Sequence, residues 1–334
     1  MRYIMVGAGA VGGAIGGRLA EAGLEVVLVA RGAQYEAVRT GGLRLVTPDG
    51  PRTHPLPVVD RPEALDLTPD DVLVLAVKTQ DSVAALDAWS SRPVAGGGTA
   101  GELLPLICAQ NGVESERLAL RRFRHVYGMC VWLPATFVRP GEVFAAGTPL
   151  TGILHLGRYP AGTDATAGRI AADLEKAKLL APVVPDVMRW KYGKLLSNLA
   201  NSIEAVTGPL AGNHAALDLF ERALAEGRAV LAAAGIDAVG REEQEQARGG
   251  RMRIEPFDGS PRGASSSWQS LSRGTGTIEA DYLNGEIVLL GREHGVPTPV
   301  NDVLRRTANA FARERREPGS MPAAALTALV DAAS

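Results

Sequence analysis

The opening stretch of the chain, Met1 to Gly13, limits its fold more than any other segment. Ile4, Met5 and Val6 predict a short buried strand, which runs directly into Gly7-Ala8-Gly9-Ala10-Val11-Gly12. A helical segment, Ala14 to Ala22, follows. A strand, a GxGxxG turn and a helix in that order make a dinucleotide-binding fingerprint. Each glycine has its own reason. Gly7 permits the tight turn, Gly9 lets a pyrophosphate approach the backbone, and Gly12 lets helix and strand pack closely. The N–H groups at the helix start then face the phosphates, so Gly7, Ala8, Gly9, Ala10, Val11 and Gly12 are the expected cofactor contacts. In a chain with 39 glycines the turn alone is weak evidence; the flanking strand and helix give it weight.

The second apolar run, Leu24 to Ala30, predicts a parallel strand covered on both faces. A site for NAD usually carries an acidic residue near the end of this strand, where it holds the ribose 2′-hydroxyl. Here that place is taken by Arg31, and no carboxylate follows until Glu36. A guanidinium offers forked donors and a permanent charge, which suits a 2′-phosphate. The expected cofactor is therefore NADP(H), against the plainer reading of Arg31 as a solvated surface residue.

With 334 residues the chain has room for two domains. A formal net charge of -2 gives no reason to expect nucleic acid or an anionic membrane as partner. Cys108 and Cys130 lie in apolar runs outside any CxxC arrangement, which predicts buried free thiols in a reducing compartment. Glycines interrupt the N-terminal apolar run and no stretch has the length of a membrane span, so the expected location is cytoplasmic. The five histidines are scattered, and no metal site is expected.

Along the chain, Arg39 to Pro57 reads as a turn-rich excursion with a hairpin around Pro48-Asp49-Gly50. Asp71 to Val77 and Leu103 to Ala109 are further buried strands, ending in Lys78-Thr79-Gln80 and Gln110-Asn111-Gly112. Ligands of open α/β sheets sit beyond the carboxyl ends of strands, which places Lys78 and Asn111 where cofactor and substrate would meet. Short strands are expected from Val126 to Leu156, and a helix from Asp164, a candidate N-cap, to Leu180. The strand-and-helix alternation stops around Ala181 to Pro185. Helices are expected at Asp186 to Val206, Asp218 to Ala234, Thr277 to Glu293, Pro299 to Arg313 and Pro322 to Ala332. The fold class is α/β: an N-terminal Rossmann domain with a doubly wound parallel sheet (1–183), followed by an all-α C-terminal domain (184–334). The tail after Glu317 carries no identifiable chemistry.

Within the helix from Asp186, Lys194, Asn198 and Asn201 or Ser202 fall at i, i+4 and i+7/8 and so share one face. An amine above carboxamides suits a pocket for a small, oxygen-rich anion; taken alone, the pattern also fits a solvated face. Ser265 to Gln269 offers hydroxyl donors, including Ser266 and Ser267, although a serine before a helix is also a common cap. Glu279 opens the next helix, where the helix dipole favours a carboxylate in any case.

In order along the chain, GAGAVG at Gly7 to Gly12, Arg31, Val77-Lys78, Gln110-Asn111-Gly112, Lys194-Leu-Leu-Ser-Asn198 and Glu279-Ala-Asp-Tyr-Leu-Asn-Gly285 resemble the ketopantoate reductase (2-dehydropantoate 2-reductase) family over nearly the whole length. The resemblance implies NADPH-dependent reduction of a 2-oxo acid to a 2-hydroxy acid, with (R)-pantoate for pantothenate and CoA biosynthesis as the leading product. It also implies roles for individual residues. Lys194 is the catalytic lysine and general acid, and Glu279 binds the substrate hydroxyl. Asn111 lies at the nicotinamide and substrate, Lys78 near the cofactor. Asn198 and one of Ser266 and Ser267 bind the substrate hydroxyl and carboxylate. The position eight residues after the lysine, usually Asn, is Ser202 here, with Asn201 beside it. Trp268, and Trp190 a turn above the lysine, are expected to reshape the substrate pocket. The long helices are expected to pair in a homodimer.

Rival classes fare less well. A short-chain dehydrogenase needs Tyr-x-x-x-Lys, and none of the six tyrosines has lysine four residues later. An opine or 6-phosphogluconate type of dehydrogenase shares the expected layout and is the runner-up. A non-catalytic NADP(H) sensor has no need of Lys194 or Glu279.

Overall fold

The structure, a computed structural model, describes residues 1–255 and 265–333. They form two compact units. The first contains Met1–Gln110, Glu114–Trp190 and the described part of 241–261; the second contains Asn111–Val113, Lys191–Gly240 and the described part of 262–334.

The strands are β1 (Arg2–Val6), β2 (Glu25–Val29), β3 (Leu43–Thr47), β4 (Gly50–His54), β5 (Val58–Val59), β6 (Asp71–Leu75), β7 (Pro105–Cys108), β8 (His125–Trp132), β9 (Ala135–Arg139), β10 (Glu142–Ala145), β11 (Gly147–Pro149), β12 (Gly152–Arg158), β13 (Leu179–Leu180) and β14 (Met252–Ile254). Eight of them make one sheet in the order β13-β12-β8-β7-β6-β1-β2-β5. From β5 to β8 every neighbour is parallel; β12 runs antiparallel to β8. The chain steps outward from β1 in both directions, so the order reverses beside β1, where an open α/β sheet takes its ligand.

Six helices of this unit are α1 (Ala10–Glu21), α2 (Gly32–Gly41), α3 (Ser82–Ser90), α4 (Ala100–Leu103), α5 (Ser115–Leu120) and α6 (Ala165–Lys176). Successive strand residues point to opposite faces, and both faces are covered. Tyr3 and Met5 meet Ile15 and Leu19 of α1 and Ile170 and Leu174 of α6 in one core. Ile4 and Val6 share the other with Leu86 and Trp89 of α3 and Ala119 of α5. Double coverage explains why these strands read as unbroken apolar runs. The one acid of β6, buried Asp71, receives both arms of Arg2 at 2.7 and 2.8 Å. Asp164 caps α6 by accepting the Ala167 N–H at 2.8 Å, an arrangement that contributes about 1 kcal/mol.

The expected hairpin is β3–β4, paired Thr47 to Gly50 across Pro48-Asp49. It belongs to a second sheet, β4-β3-β10-β9, which the sequence pattern did not reveal.

The remaining helices are α7 (Val187–Asn198), α8 (Ala200–Thr207), α9 (His214–Ala233), α10 (Arg241–Arg248), α11 (Ser266–Ser272), α12 (Asn284–His294), α13 (Pro299–Glu314) and α14 (Ala323–Asp331). Of these, α10 counts with the first unit: Glu243 takes both arms of Arg189 at 2.8 Å, and β14 pairs with β11. In the second unit α12 packs on α9 and α13, and α8 on α9, α11 and α13.

Four expected helices differ in detail. The helix expected from Asp164 to Leu180 ends at Lys176; Lys178 takes a left-handed φ of 56°, and Leu179–Leu180 pair with β12 as β13. The helix expected from Asp186 to Val206 is two, α7 and α8, broken at Leu199, whose N–H reaches only the Leu196 carbonyl at 3.4 Å. The helix expected from Thr277 to Glu293 begins instead as a 3₁₀ turn, Glu279–Tyr282, and breaks at Leu283 before α12. The helix expected at Asp218 starts earlier, at His214, because the Asn213 side chain accepts the Ala216 N–H. The tail after Glu317 is docked rather than idle: Gly319 and Met321 donate backbone hydrogen bonds to Ala205 and Val206 of α8.

Candidate active site

In the first unit the glycine turn leaves β1 beside β6. Gly7 has φ +107°, and a Cβ there would stand 2.8 Å from the Val77 nitrogen. At Gly12 a Cβ would stand 1.9 Å from the Gly7 carbonyl oxygen, so helix and turn touch backbone to backbone. Gly9 is different: a Cβ there meets nothing within 4 Å. The three glycines therefore separate into two that the protein fills and one that faces open space. Gly9 is also the N-cap of α1, with no side chain closing the helix end and no acid in its first turn. Unsatisfied N–H groups and the positive end of the dipole attract a phosphate at such a place. A dinucleotide's pyrophosphate fits this turn, since open space lies where Gly9 omits a side chain.

Arg31 is the N-cap of α2 and is exposed. Among the described residues its side chain has no ion pair or hydrogen bond, and Glu36, the nearest acid in sequence, pairs with Arg39 at 2.8 Å. The guanidinium is available to a ligand. A residue the sequence did not mark, Gln34, donates to the Ala8 carbonyl at 2.8 Å and accepts the Gly141 N–H at 2.7 Å. It braces the glycine turn against the β9–β10 hairpin. A single glutamine in an amphipathic helix carries no motif that would have found it. Lys78 follows β6, partly buried, at the start of a 3₁₀ turn.

In the second unit the Lys194 ammonium donates to Asn111 Oδ1 at 2.6 Å. The bond joins two residues that the sequence singled out 83 positions apart. One turn on from Lys194, the partly buried Asn198 holds its Nδ2 out of water with no hydrogen-bond partner among the described residues. A buried amide donor without a partner is costly unless a ligand satisfies it. Asn201 is half-buried on α8.

The other expected residues are placed as follows. Ser202 is fully buried and its hydroxyl donates to Asn284 Oδ1 at 2.6 Å, so it is engaged inside the helical unit. Asn201 and Ser202 lie on α8, past the one-residue interruption at Leu199, which itself keeps helical dihedrals (φ −60°, ψ −26°). Ser265 caps α11 through the Trp268 N–H at 3.3 Å and hydrogen-bonds Glu204, whose carboxyl burial pushes up against that bond. Ser266 and Ser267 form the first turn of α11, Ser267 buried. Glu279 is half-buried at the head of its 3₁₀ turn. Trp190, expected near the substrate, stacks on His155 at 3.8 Å in the first unit. The Trp268 ring lies so close to Gly319 that a Cβ there would stand 2.8 Å from it.

Cys108 and Cys130 are buried thiols. Among the described residues no helix is long and apolar enough to cross a membrane, and no group of His, Cys, Asp or Glu is arranged to hold a metal ion.

Sheet order, glycine turn and helical second unit define a dinucleotide-binding oxidoreductase of the Rossmann class. The family profile described as "Ketopantoate reductase PanE/ApbA" matches residues 3–161, and its C-terminal counterpart matches residues 186–312. The chain belongs to the ketopantoate reductase family. It is 30% identical over 340 residues to a 2-dehydropantoate 2-reductase of Mesorhizobium japonicum, covering 94% of this chain and 99% of the relative. A crystal structure of a PanE/ApbA family ketopantoate reductase from Ralstonia eutropha superposes with a TM-score of 0.76 at 26% identity, covering 95% of this chain and all of that one. A ternary structure of D-mandelate dehydrogenase with NADH and anilino(oxo)acetate shares the fold, with a TM-score of 0.79 at 22% identity, covering 95% of this chain and 100% of that one.

Proposed function

We propose that this chain reduces 2-dehydropantoate to (R)-pantoate with NADPH, residues 1–183 holding the cofactor and residues 184–334 the substrate. The observation that carries the reading is the Lys194–Asn111 hydrogen bond of 2.6 Å, which orients an ammonium in the helical unit. Reduced nicotinamide supplies the hydride. The chain supplies everything else. Residues Gly7 to Gly12 bind the pyrophosphate through backbone N–H groups, and Arg31 takes the 2′-phosphate with its forked donors. Lys78 adds positive charge near the cofactor.

Lys194 hydrogen-bonds the keto oxygen, stabilises the negative charge that develops there and delivers a proton to it. Asn111 holds the amine in line. Glu279 accepts a hydrogen bond from the substrate hydroxyl. The unpartnered Asn198 amide, with Asn201 and the hydroxyl of Ser266 or Ser267, binds the remaining substrate oxygens. Ser202 contributes from behind, through Asn284. Dimerisation through the long helices and a cytoplasmic location complete the reading; a monomer in sedimentation at micromolar concentration overturns the first.

The test follows NADPH oxidation with ketopantoate and a panel of other 2-oxo acids, phenyl-substituted ones included, for the chain and for Lys194→Ala. Turnover of ketopantoate that disappears in the variant supports the reading. Preference for another 2-oxo acid keeps the mechanism and changes the substrate. No oxidation with any of them, despite NADPH binding, overturns it in favour of an opine-type or sensor role.

A further inference from the structure

We propose that Asn284 is a positioning residue for this reaction, holding the end of the helix that carries Lys194 and Asn198 in register with the segment that carries Glu279. The inference rests on the function proposed above. Its starting point is a buried polar chain in the second unit. The Asn284 Oδ1 accepts the Ser202 hydroxyl at 2.6 Å, while its Nδ2 donates to the Leu199 carbonyl at 3.2 Å and to Asn301 Oδ1 at 3.0 Å. Ser202, Asn284 and Asn301 are all 0% exposed.

The orientation of Asn284 is dictated from outside. Glu226 accepts the backbone N–H groups of Val300 and Asn301, each at 2.9 Å, and the Asn301 Nδ2 at 2.8 Å. Asn301 Nδ2 also donates to the Ala223 carbonyl at 3.0 Å, which leaves Asn301 Oδ1 facing Asn284. Asn284 must therefore present its amine to Asn301 and Leu199, and its oxygen to Ser202. Aspartate has no donor for that role and leucine has neither donor nor acceptor.

What makes this more than packing is where the chain ends. Leu199 is the junction at which α7 stops and α8 starts, and its own N–H makes only a long bond of 3.4 Å back to Leu196. Leu199 keeps helical dihedrals (φ −60°, ψ −26°), yet its own donor is poorly satisfied at this junction. Asn284 grips the junction by its carbonyl, immediately after Asn198 and little more than one turn from Lys194. In the other direction Asn284 lies directly after the Leu283 turn, on the segment opened by Glu279. One side chain thus ties the proton donor's helix to the carboxylate's segment.

Steady-state kinetics with NADPH and ketopantoate on the wild-type chain, Asn284→Ala, Asn284→Asp and Asn301→Ala test this. Both Asn284 variants are expected to lose about 10- to 100-fold in kcat, as a misplaced proton donor does. Their NADPH Kd, read by fluorescence, should stay within about twofold, and the basic limb of the kcat profile should move as Lys194 leaves its partner. Urea unfolding of each variant identifies those that stay folded, and kcat is compared only among them, since a buried aspartate facing two carbonyl oxygens also costs stability. Asn301→Ala breaks the same network on the far side while leaving the grip on Leu199, so it should lower Tm but hold kcat within about threefold. Wild-type kcat and pH profile in folded Asn284 variants overturn the positioning role alone. So does an equal kcat loss in Asn301→Ala, which marks the network as structural. An inactive wild-type chain overturns the proposed function and this inference together.

Discussion

Lys194 and Asn111, 83 positions apart in the chain, share a hydrogen bond of 2.6 Å, with the ammonium donating to the amide oxygen. Asn111 therefore presents its acceptor to the lysine and keeps its amine for another partner. Replacing Asn111 with aspartate sets a carboxylate beside the ammonium, which favours the charged form and raises the lysine's pKa. Because the lysine acts as an acid, the basic limb of the pH–rate profile should shift to higher pH in Asn111→Asp. Lys194→Ala should lower kcat by about 10²- to 10⁴-fold, the usual contribution of a positioned acid. Initial rates across pH 6 to 10 check both outcomes.

The glycine turn makes a contrast that binding and unfolding measurements can separate. Gly12→Ala forces a methyl to within 1.9 Å of a carbonyl oxygen and should destabilise the chain by about 3 kcal/mol in urea unfolding. Gly9→Ala meets nothing in the protein at a φ of −82°, so stability should change by less than about 0.5 kcal/mol. Yet Gly9→Ala should abolish tight NADPH binding, because the methyl occupies the pyrophosphate's approach. Equal behaviour of the two variants would contradict the assignment of the turn.

Arg31 should decide between the two nicotinamide cofactors. Its loss in Arg31→Ala removes charge-assisted hydrogen bonds of about 1.5–3 kcal/mol, a weakening of NADPH binding by roughly 10- to 150-fold. NADH, lacking the 2′-phosphate, should bind the variant and the parent alike. Fluorescence titration of both cofactors distinguishes this from a general loss of the site.

His155 makes stability depend on acidity. It is 2% exposed, stacked on Trp190 and edge-on to Trp132, and burial lowers its pKa to about 4. The unfolded chain protonates this imidazole near pH 6.5, so between the two values the unfolded state binds more protons. The stability is fully present above pH 6.5 and is lost progressively as pH falls towards 4, by about 3 kcal/mol in all. His155→Phe keeps the stack and removes a buried Nδ1 that has no hydrogen-bond partner among the described residues. The variant should be at least as stable at pH 7 and flatter in Tm between pH 4 and 6.5.

Much of the first unit was legible because its signals are local. Continuous apolar runs at Ile4 to Val6 and Val72 to Leu75 require a sheet covered twice, and Gly7 to Gly12 carries its geometry in its spacing. The Asp164 cap was readable for the same reason. What stayed hidden depends on residues far apart in sequence. The β3–β10 pairing joins residues about a hundred positions apart, with no pattern in either strand that names the other. Gln34 looks like any helical surface residue until Gly141 arrives beside it. The break at Leu199 was invisible because Leu195 to Ala200 carries no Gly or Pro to mark it, and Asn284, which donates to the Leu199 carbonyl, lies 85 positions away. Trp190 was read from its distance along one helix, whereas its stacking partner comes from β12.

The placement of α10 and β14 has a consequence for how the protein is made. The first unit borrows its last pieces from residues 241–255, after more than fifty residues of the second unit have been laid down. On a ribosome, β11 must wait with an open edge, and Trp132 without Arg248 above its ring, until that return segment emerges. The glycine turn and the parallel sheet behind it can assemble early, but their unit closes late. Cutting the gene at the visible change from strands to helices would therefore yield a fragment missing one of its own edges.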